Sequence, residues 1–189
     1  LTAELWWLTP YPLFRRLAFF AAASGQVVPT RRAFDWLLAD DRWWLWSGET
    51  KRESIRLLVA LVPQLSKSML RALEAAILAG PPREMFKDDI ETERLSGIVD
   101  REVWLRLVRV VEAGAQLSKA AKARLNSLSR KFPDWRAEER DEFPYWMESV
   151  GVGHRDPWQT LIAIPRSWRG MRDYLVLYPQ RPVEKQDDW

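Results

Sequence analysis

The side chains that most often perform catalysis are scarce in this sequence of 189 residues. It contains no Cys and a single His, His154, which follows Gly151-Val152-Gly153. The absence of Cys excludes disulfides, thiolate zinc sites and cysteine nucleophiles. An imidazole could act as a general base, but no nucleophile is marked for it, and a phosphate-binding loop would need a third glycine and a Lys-Ser/Thr pair. We interpret residues 151–154 as a loop and predict no catalytic residue, metal or cofactor.

An acidic run, Glu138-Glu139-Arg140-Asp141-Glu142, precedes Phe143 and Trp146. Crowded carboxylates can bind a metal or raise one another's pKa. No second acidic cluster completes such a site, so we interpret the run as a solvated turn whose aromatic neighbours fill the core. An enzyme that uses His154 and these carboxylates is the least favoured of three hypotheses.

Tryptophan is unusually abundant, with 12 residues. Consecutive Trp residues on a helix cannot all face one core, so some are expected to be exposed as anchors for a protein partner or for stacked bases. Isolated Trp36 and Trp104 are predicted to be core residues, whereas terminal Trp189 is grouped with the exposed set. The candidates for a protein interface are Trp6, Trp7, Trp43, Trp44 and Trp46.

Basic residues recur near the start of the second helix of each of three predicted helix pairs. If the pairs stack in register, these residues form one stripe that faces phosphates or an acidic protein. The alternative is an ordinary solvated helix face. The members of this basic stripe are Arg31, Arg32, Lys67, Arg71, Lys119, Lys122 and Arg124.

The helix pairs themselves are predicted from internal similarity. An offset of 40 aligns residues 15–39 with residues 55–79, and Gln-Leu-Ser-Lys at 64–67 reappears at 116–119. Helix pairs that recur every 40 to 52 residues are typical of HEAT and armadillo repeats; chance similarity between amphipathic helices is the alternative. We predict an all-α fold, an α-solenoid fragment with three stacked pairs over residues 1–131. Residues 132–189 are predicted to be a less regular helical extension that is truncated.

Start and stop signals set the expected helix boundaries. Residues 81–99 are predicted to be a loop running into a short helix, and residues 174–178 could be a short strand or the end of a helix. In the first helix the expected buried face is Leu13, Leu17, Phe20 and Ala21. The predicted N-caps are Thr30, Ser66, Asp100 and Ser118, with a capping box at Thr50 and Glu53 and stops at Pro63, Gly80 and Gly114.

The two ends of the sequence resemble internal positions of a longer chain. It begins without Met and ends at Asp187-Asp188-Trp189, which reads as the start of another helix. We expect a segment of a larger polypeptide whose other parts contact the exposed Trp residues. There is no export signal, and the longest apolar run, residues 17–23, is too short to span a bilayer, so we expect a cytoplasmic location and no membrane partner.

Four strings then indicate a family. In order they resemble the helical-repeat region that follows an N-terminal sirtuin-like NADase domain in large bacterial anti-phage defence proteins, over about residues 10–150. The resemblance implies a scaffold or sensor that holds an effector, oligomerises or recognises a phage component, and it implies no catalytic residue here. The strings are Pro12-Leu13-Phe14-Arg15-Arg16-Leu17-Ala18, Leu78-Ala79-Gly80-Pro81-Pro82-Arg83, Val103-Trp104-Leu105-Arg106-Leu107 and Glu139-Arg140-Asp141-Glu142-Phe143-Pro144.

The sequence therefore predicts a non-enzymatic scaffold or sensor segment that makes protein–protein contacts. Its expected partner is the rest of its parent polypeptide or another protein, with oligomerisation through the parent. A nucleic-acid-binding helical repeat that uses the basic stripe and exposed Trp residues is the alternative.

Overall fold

The computed structural model describes residues 2–138, which form eight α-helices and no β-strand. The all-α prediction is confirmed over this range. None of these helices is long and apolar enough to cross a membrane. The helices are α1 (Thr2–Leu8), α2 (Pro12–Ala23), α3 (Thr30–Leu37), α4 (Ala39–Trp46), α5 (Lys51–Leu61), α6 (Lys67–Ala79), α7 (Thr92–Glu112) and α8 (Lys119–Lys131).

Helix α5 is the central element of the core. It contacts α2, α3, α4 and α7. It is buried on several sides because Ile55, Leu57, Leu58 and Leu61 all lie in the core. Helix α7 packs in turn on α6 and α8, and α6 contacts α8. The first helices of the three predicted pairs, α2, α5 and α7, therefore contact one another in sequence order.

Several local signals act as predicted. Ser66 and Ser118 cap α6 and α8, where their hydroxyl oxygens accept hydrogen bonds from the backbone N–H groups of Met69 and Ala121, each at 3.3 Å. Such a bond satisfies one of the amides that a helix start leaves unpaired. Pro63 lies just beyond the end of α5, in a short 3-10 turn.

Gly80 follows the end of α6, and two observations explain why glycine occupies this position. Its φ of 74° lies in the left-handed region that residues with a Cβ rarely adopt. A Cβ atom at this position would also lie only 3.3 Å from the Val99 side chain on α7. Gly114, with a φ of 92°, follows the end of α7 as predicted.

The predicted cap at Thr30 and the predicted capping box at Thr50 and Glu53 are wrong, because Thr30 and Glu53 have other partners. Thr30 is the first residue of α3, not its cap, and its hydroxyl donates to Gln64 Oε1 at 2.8 Å. There is no capping box at Thr50, since Glu53 instead accepts two hydrogen bonds from Arg16, at 2.9 and 3.0 Å. A guanidinium offers two charge-assisted bonds, which outweigh one to a neutral amide.

Asp100 does not cap a helix either. Helix α7 begins at Thr92, so the short helix expected to follow the loop is the first part of α7, and Asp100 lies within that helix. Its buried carboxylate accepts hydrogen bonds from Arg124, at 2.6 Å, and Lys131, at 2.9 Å. Both cations belong to α8, so Asp100 stabilises the packing of α8 on α7.

The predicted inward face of α2 is also wrong. The structure buries Ala18, Phe19 and Ala22, whereas Leu13 and Phe20 are 59% and 69% exposed. Helix α2 packs against both α1 and α5. Alanine at two of the three buried positions permits close approach of the neighbouring helices, whereas Leu13 and Phe20 are left on the outside.

Helices α1 and α4 have no counterpart in the sequence prediction. The junction of α3 and α4 is irregular: Asp40, Asp41 and Arg42 have φ values of 53°, 52° and 70°. Three consecutive residues with a Cβ in the left-handed region are energetically unfavourable, although Asp tolerates it better than most. The Trp44 indole N–H donates to Asp40 Oδ2 at 2.6 Å and helps to hold this turn.

Several predictions fall outside the described residues. They concern the acidic run from Glu139 onward, the loop with His154, residues 174–178, Trp189 and most of the extension over residues 132–189.

Candidate interaction surfaces

The tryptophans of α1, α3 and α4 form a cluster with one another. The Trp7 ring stacks on Trp36, with centroids 5.1 Å apart, and meets Trp44 edge-on at 6.2 Å. The guanidinium of Arg15 lies 4.0 Å from the Trp7 ring centroid and 5.0 Å from that of Trp44. The cation therefore binds ring faces, an attraction that strengthens when water is excluded.

Burial lowers the pKa of Arg15 from its ordinary value, and the nearby Asp40 carboxylate opposes this effect. The guanidinium joins α2 to the Trp residues of α1 and α4. The rings of Trp7 and Trp44 therefore have a cationic partner within the chain.

The structure changes the set of candidate interface tryptophans. Trp7 is only 9% exposed, and Trp46 is completely buried, so neither is available to a partner. Trp6, Trp43 and Trp44 are half-buried and pack against the core. Trp36 and Trp104 are core residues, as predicted.

Beside Trp46 lies a buried ion cluster that sequence reasoning missed. Lys51 Nζ is 2.7 Å from Glu102 Oε1, and Arg106 donates to the other oxygen of the same carboxylate. Arg106 Nε also donates to the Leu45 carbonyl at 2.9 Å, and its guanidinium lies 4.2 Å from the Trp46 ring centroid. The cluster thereby links α4, α5 and α7. The i,i+4 spacing of Glu102 and Arg106 was the only local signal for it.

The carboxylate of Glu102 is held in its charged form. Burial alone raises its pKa, but the charges of Lys51 and Arg106 and the hydrogen bonds they donate outweigh burial, and the net pKa is lowered. Burial lowers the pKa of Arg106, and the charge of Glu102 and the hydrogen bond to it oppose this effect.

The N-terminal helices expose a set of large apolar side chains. On α2, Leu13 and Phe20 are seven residues apart and so lie on one face of the helix. Large exposed apolar patches mark binding sites on protein surfaces. The exposed members on α1, α2 and the segment that follows are Leu5, Leu8, Leu13, Phe20 and Val27, here called the N-terminal apolar surface.

The predicted basic stripe is divided into two groups. Arg31 pairs with Asp35 and Arg32 with Glu4, each at 3.0 Å. Arg124 pairs with Asp100, so the charge of these three residues is compensated. The other four are exposed, and within residues 2–138 they form no ion pair: Lys67, Arg71, Lys119 and Lys122.

A comparison with models of known protein families gives no match, and no curated protein or solved structure matches the chain. Among residues 2–138, no group of three or more His, Asp or Glu side chains could hold a metal ion.

Proposed function

We propose that the chain is a non-enzymatic helical-repeat scaffold or sensor segment of a larger bacterial anti-phage defence protein, located in the cytoplasm. Its role is to make protein–protein contacts with the rest of that protein or with another protein. The observation that supports this proposal best is the N-terminal apolar surface. Leu13 and Phe20 keep more than half of their side-chain area in water, an arrangement that favours a partner.

The helix order supports a solenoid of stacked pairs. Helices α2, α5 and α7 contact in turn, and α6 contacts α8, as expected when each pair packs on the next. Two of the four family-like strings lie in this framework: residues 12–18 open α2, and residues 103–107 lie in the buried part of α7. Repeat stacks expose extended surfaces, which suits a protein that holds other domains.

The test is cross-linking from the apolar surface. A photoreactive phenylalanine analogue at Phe20, in the intact defence protein, is expected to yield one defined protein adduct. The matched control carries the analogue at Ala72, an exposed position on α6. We further expect Leu13→Gln with Phe20→Gln to lower protection against phage while leaving the melting temperature unchanged.

No adduct from either Phe20 or Leu13 in a folded protein would contradict the proposal. Equal adducts from Phe20 and Ala72 would also contradict it, since they would indicate non-specific collisions.

A further inference from the structure

The outer sides of α6 and α8 expose cations in a regular pattern. Lys67 and Arg71 are one turn apart on α6, and Lys119, Lys122 and Arg130 follow helical spacing on α8. All five side chains are exposed. We call these five residues the α6–α8 face.

The two helices are joined at a defined point. Glu74, buried on α6, accepts a hydrogen bond at 2.9 Å from the backbone N–H of Ser118, the cap of α8. Arg71 lies one turn before Glu74, and Lys119 follows Ser118. This hydrogen bond brings the start of α8 beside the turn of α6 that follows Arg71.

No exposed carboxylate on these helices compensates this charge. Glu74 is the single acidic residue of α6 and is buried, and α8 contains no acidic residue. On α7, Asp100 is buried and already pairs with Arg124 and Lys131. Within residues 2–138 the five cations of the α6–α8 face therefore have no carboxylate partner.

The residues around these cations indicate the kind of partner. Protein interfaces depend on large apolar or aromatic anchors, but neither α6 nor α8 contributes to the strongly exposed apolar residues of the described chain. Their other exposed positions are small, such as Ala72, Ala75 and Ser127. Neither helix has an aromatic residue on which an unpaired base could stack. Exposed cations with small neighbours leave room for close approach of a phosphate backbone.

From this geometry we propose that the α6–α8 face binds the phosphate backbone of double-stranded nucleic acid without reading its sequence. Each cation that replaces a condensed counterion contributes to the salt dependence of binding. Five contacts give a slope of log affinity against log salt of up to about −4.5, so raising salt from about 50 to 200 mM weakens binding by up to about 500-fold.

The experiment is fluorescence anisotropy of the full chain with a labelled duplex at both salt concentrations. The test variant changes four unpaired cations of the face, and the control changes four cations elsewhere, so that both lose the same net charge. The test substitutions are Lys67→Gln, Arg71→Gln, Lys119→Gln and Lys122→Gln. The control substitutions are Arg31→Gln, Arg32→Gln, Arg56→Gln and Lys87→Gln.

We expect steep salt dependence in the wild-type protein, loss of at least about tenfold in affinity for the test variant at low salt, and near-normal binding for the control. The double variant Lys67→Gln with Lys119→Gln is expected to show an intermediate loss of affinity. It replaces the fourfold variant as the test if circular dichroism shows that the fourfold variant is unfolded. Absence of binding at low salt, or equal loss in test and control variants, would overturn the proposal. So would tighter binding of a single strand, or equal competition by poly-glutamate at matched charge.

Discussion

Glu102 is the carboxylate at the centre of a buried ion cluster in the described part of the chain. It sits between Lys51 and Arg106, and all three side chains are removed from water. Such a cluster is weak evidence for high stability, because the loss of hydration offsets the Coulomb attraction. Removing one member is different, since it leaves a buried charge without its partner.

We expect Glu102→Gln to lower the free energy of unfolding by about 3 to 5 kcal/mol, because Lys51 and Arg106 then remain buried as like charges. The triple variant Lys51→Met, Glu102→Met, Arg106→Met is expected to be more stable than Glu102→Gln, since it removes both cations together with the carboxylate between them. Urea denaturation measures both. A triple variant less stable than the single one would contradict this account.

The same cluster predicts sensitivity to acid. The folded-state pKa of Glu102 is lowered below the unfolded value of 4.5, so its contribution is complete above that value. It is lost as pH falls below about 4.5 and through the folded pKa. Unfolding free energies measured from neutral pH into this range are expected to fall more steeply for wild type than for the triple variant.

At the scale of elements, the α3–α4 junction combines unfavourable backbone with well-packed neighbours. Asp41 is exposed and has a φ of 52°, in the left-handed region. The surrounding contacts, including the bond from Trp44 to Asp40, hold the turn despite this conformation. Glycine is the residue that adopts it without a steric penalty.

We expect Asp41→Gly to be more stable than Asp41→Ala by about 1 kcal/mol, because the Cβ atom of alanine is sterically unfavourable at positive φ. In a right-handed helix alanine is instead more favourable than glycine. Ala123, exposed within α8, provides the matched control, and Ala123→Gly is expected to lower stability by about 1 kcal/mol. Thermal unfolding checks both, and the same sign at the two sites would show that residue 41 has ordinary helical backbone.

At the scale of the whole molecule, α5 couples the N-terminal helices to α7. A linear stack of repeats can unfold piecewise, because each unit contacts only its neighbours. Here α5 contacts four other helices, and Lys51 on α5 pairs with α7. The described helices are therefore expected to unfold together.

We expect Leu57→Ala, at a fully buried position of α5, to lower stability by about 2 to 5 kcal/mol. Tryptophan fluorescence reports the tertiary surroundings of the indole rings and far-ultraviolet circular dichroism reports the helices, and their transitions are expected to coincide. Leu8→Ala, at an exposed position of α1, is the control and should change stability by about 0.5 kcal/mol or less. Separate transitions would indicate independent units.

Local signals were sufficient for much of the helical framework. Ser66, Ser118 and Gly80 mark helix ends because a cap bond or a left-handed φ involves only neighbours in sequence. The cap predictions at Thr30, Thr50 and Asp100 rested on similar signals but were wrong. Thr30 bonds to Gln64, Glu53 to Arg16, and Asp100 to the cations of α8, and each of these partners lies more than twenty residues away in the sequence. A cap prediction fails when a distant charge or side chain competes for the same group.

The helical character of the described residues, several helix ends and the burial of Trp36 and Trp104 were predictable from local pattern. The covered face of α2, the enclosure of Trp7 and Trp46 and the set of uncompensated basic residues depend on contacts between helices. Periodicity in a sequence shows that a helix has an apolar face, but it does not show which neighbouring helix covers that face. Helix α2 offered two apolar faces, and contact with α1 and α5 buried the one rich in alanine.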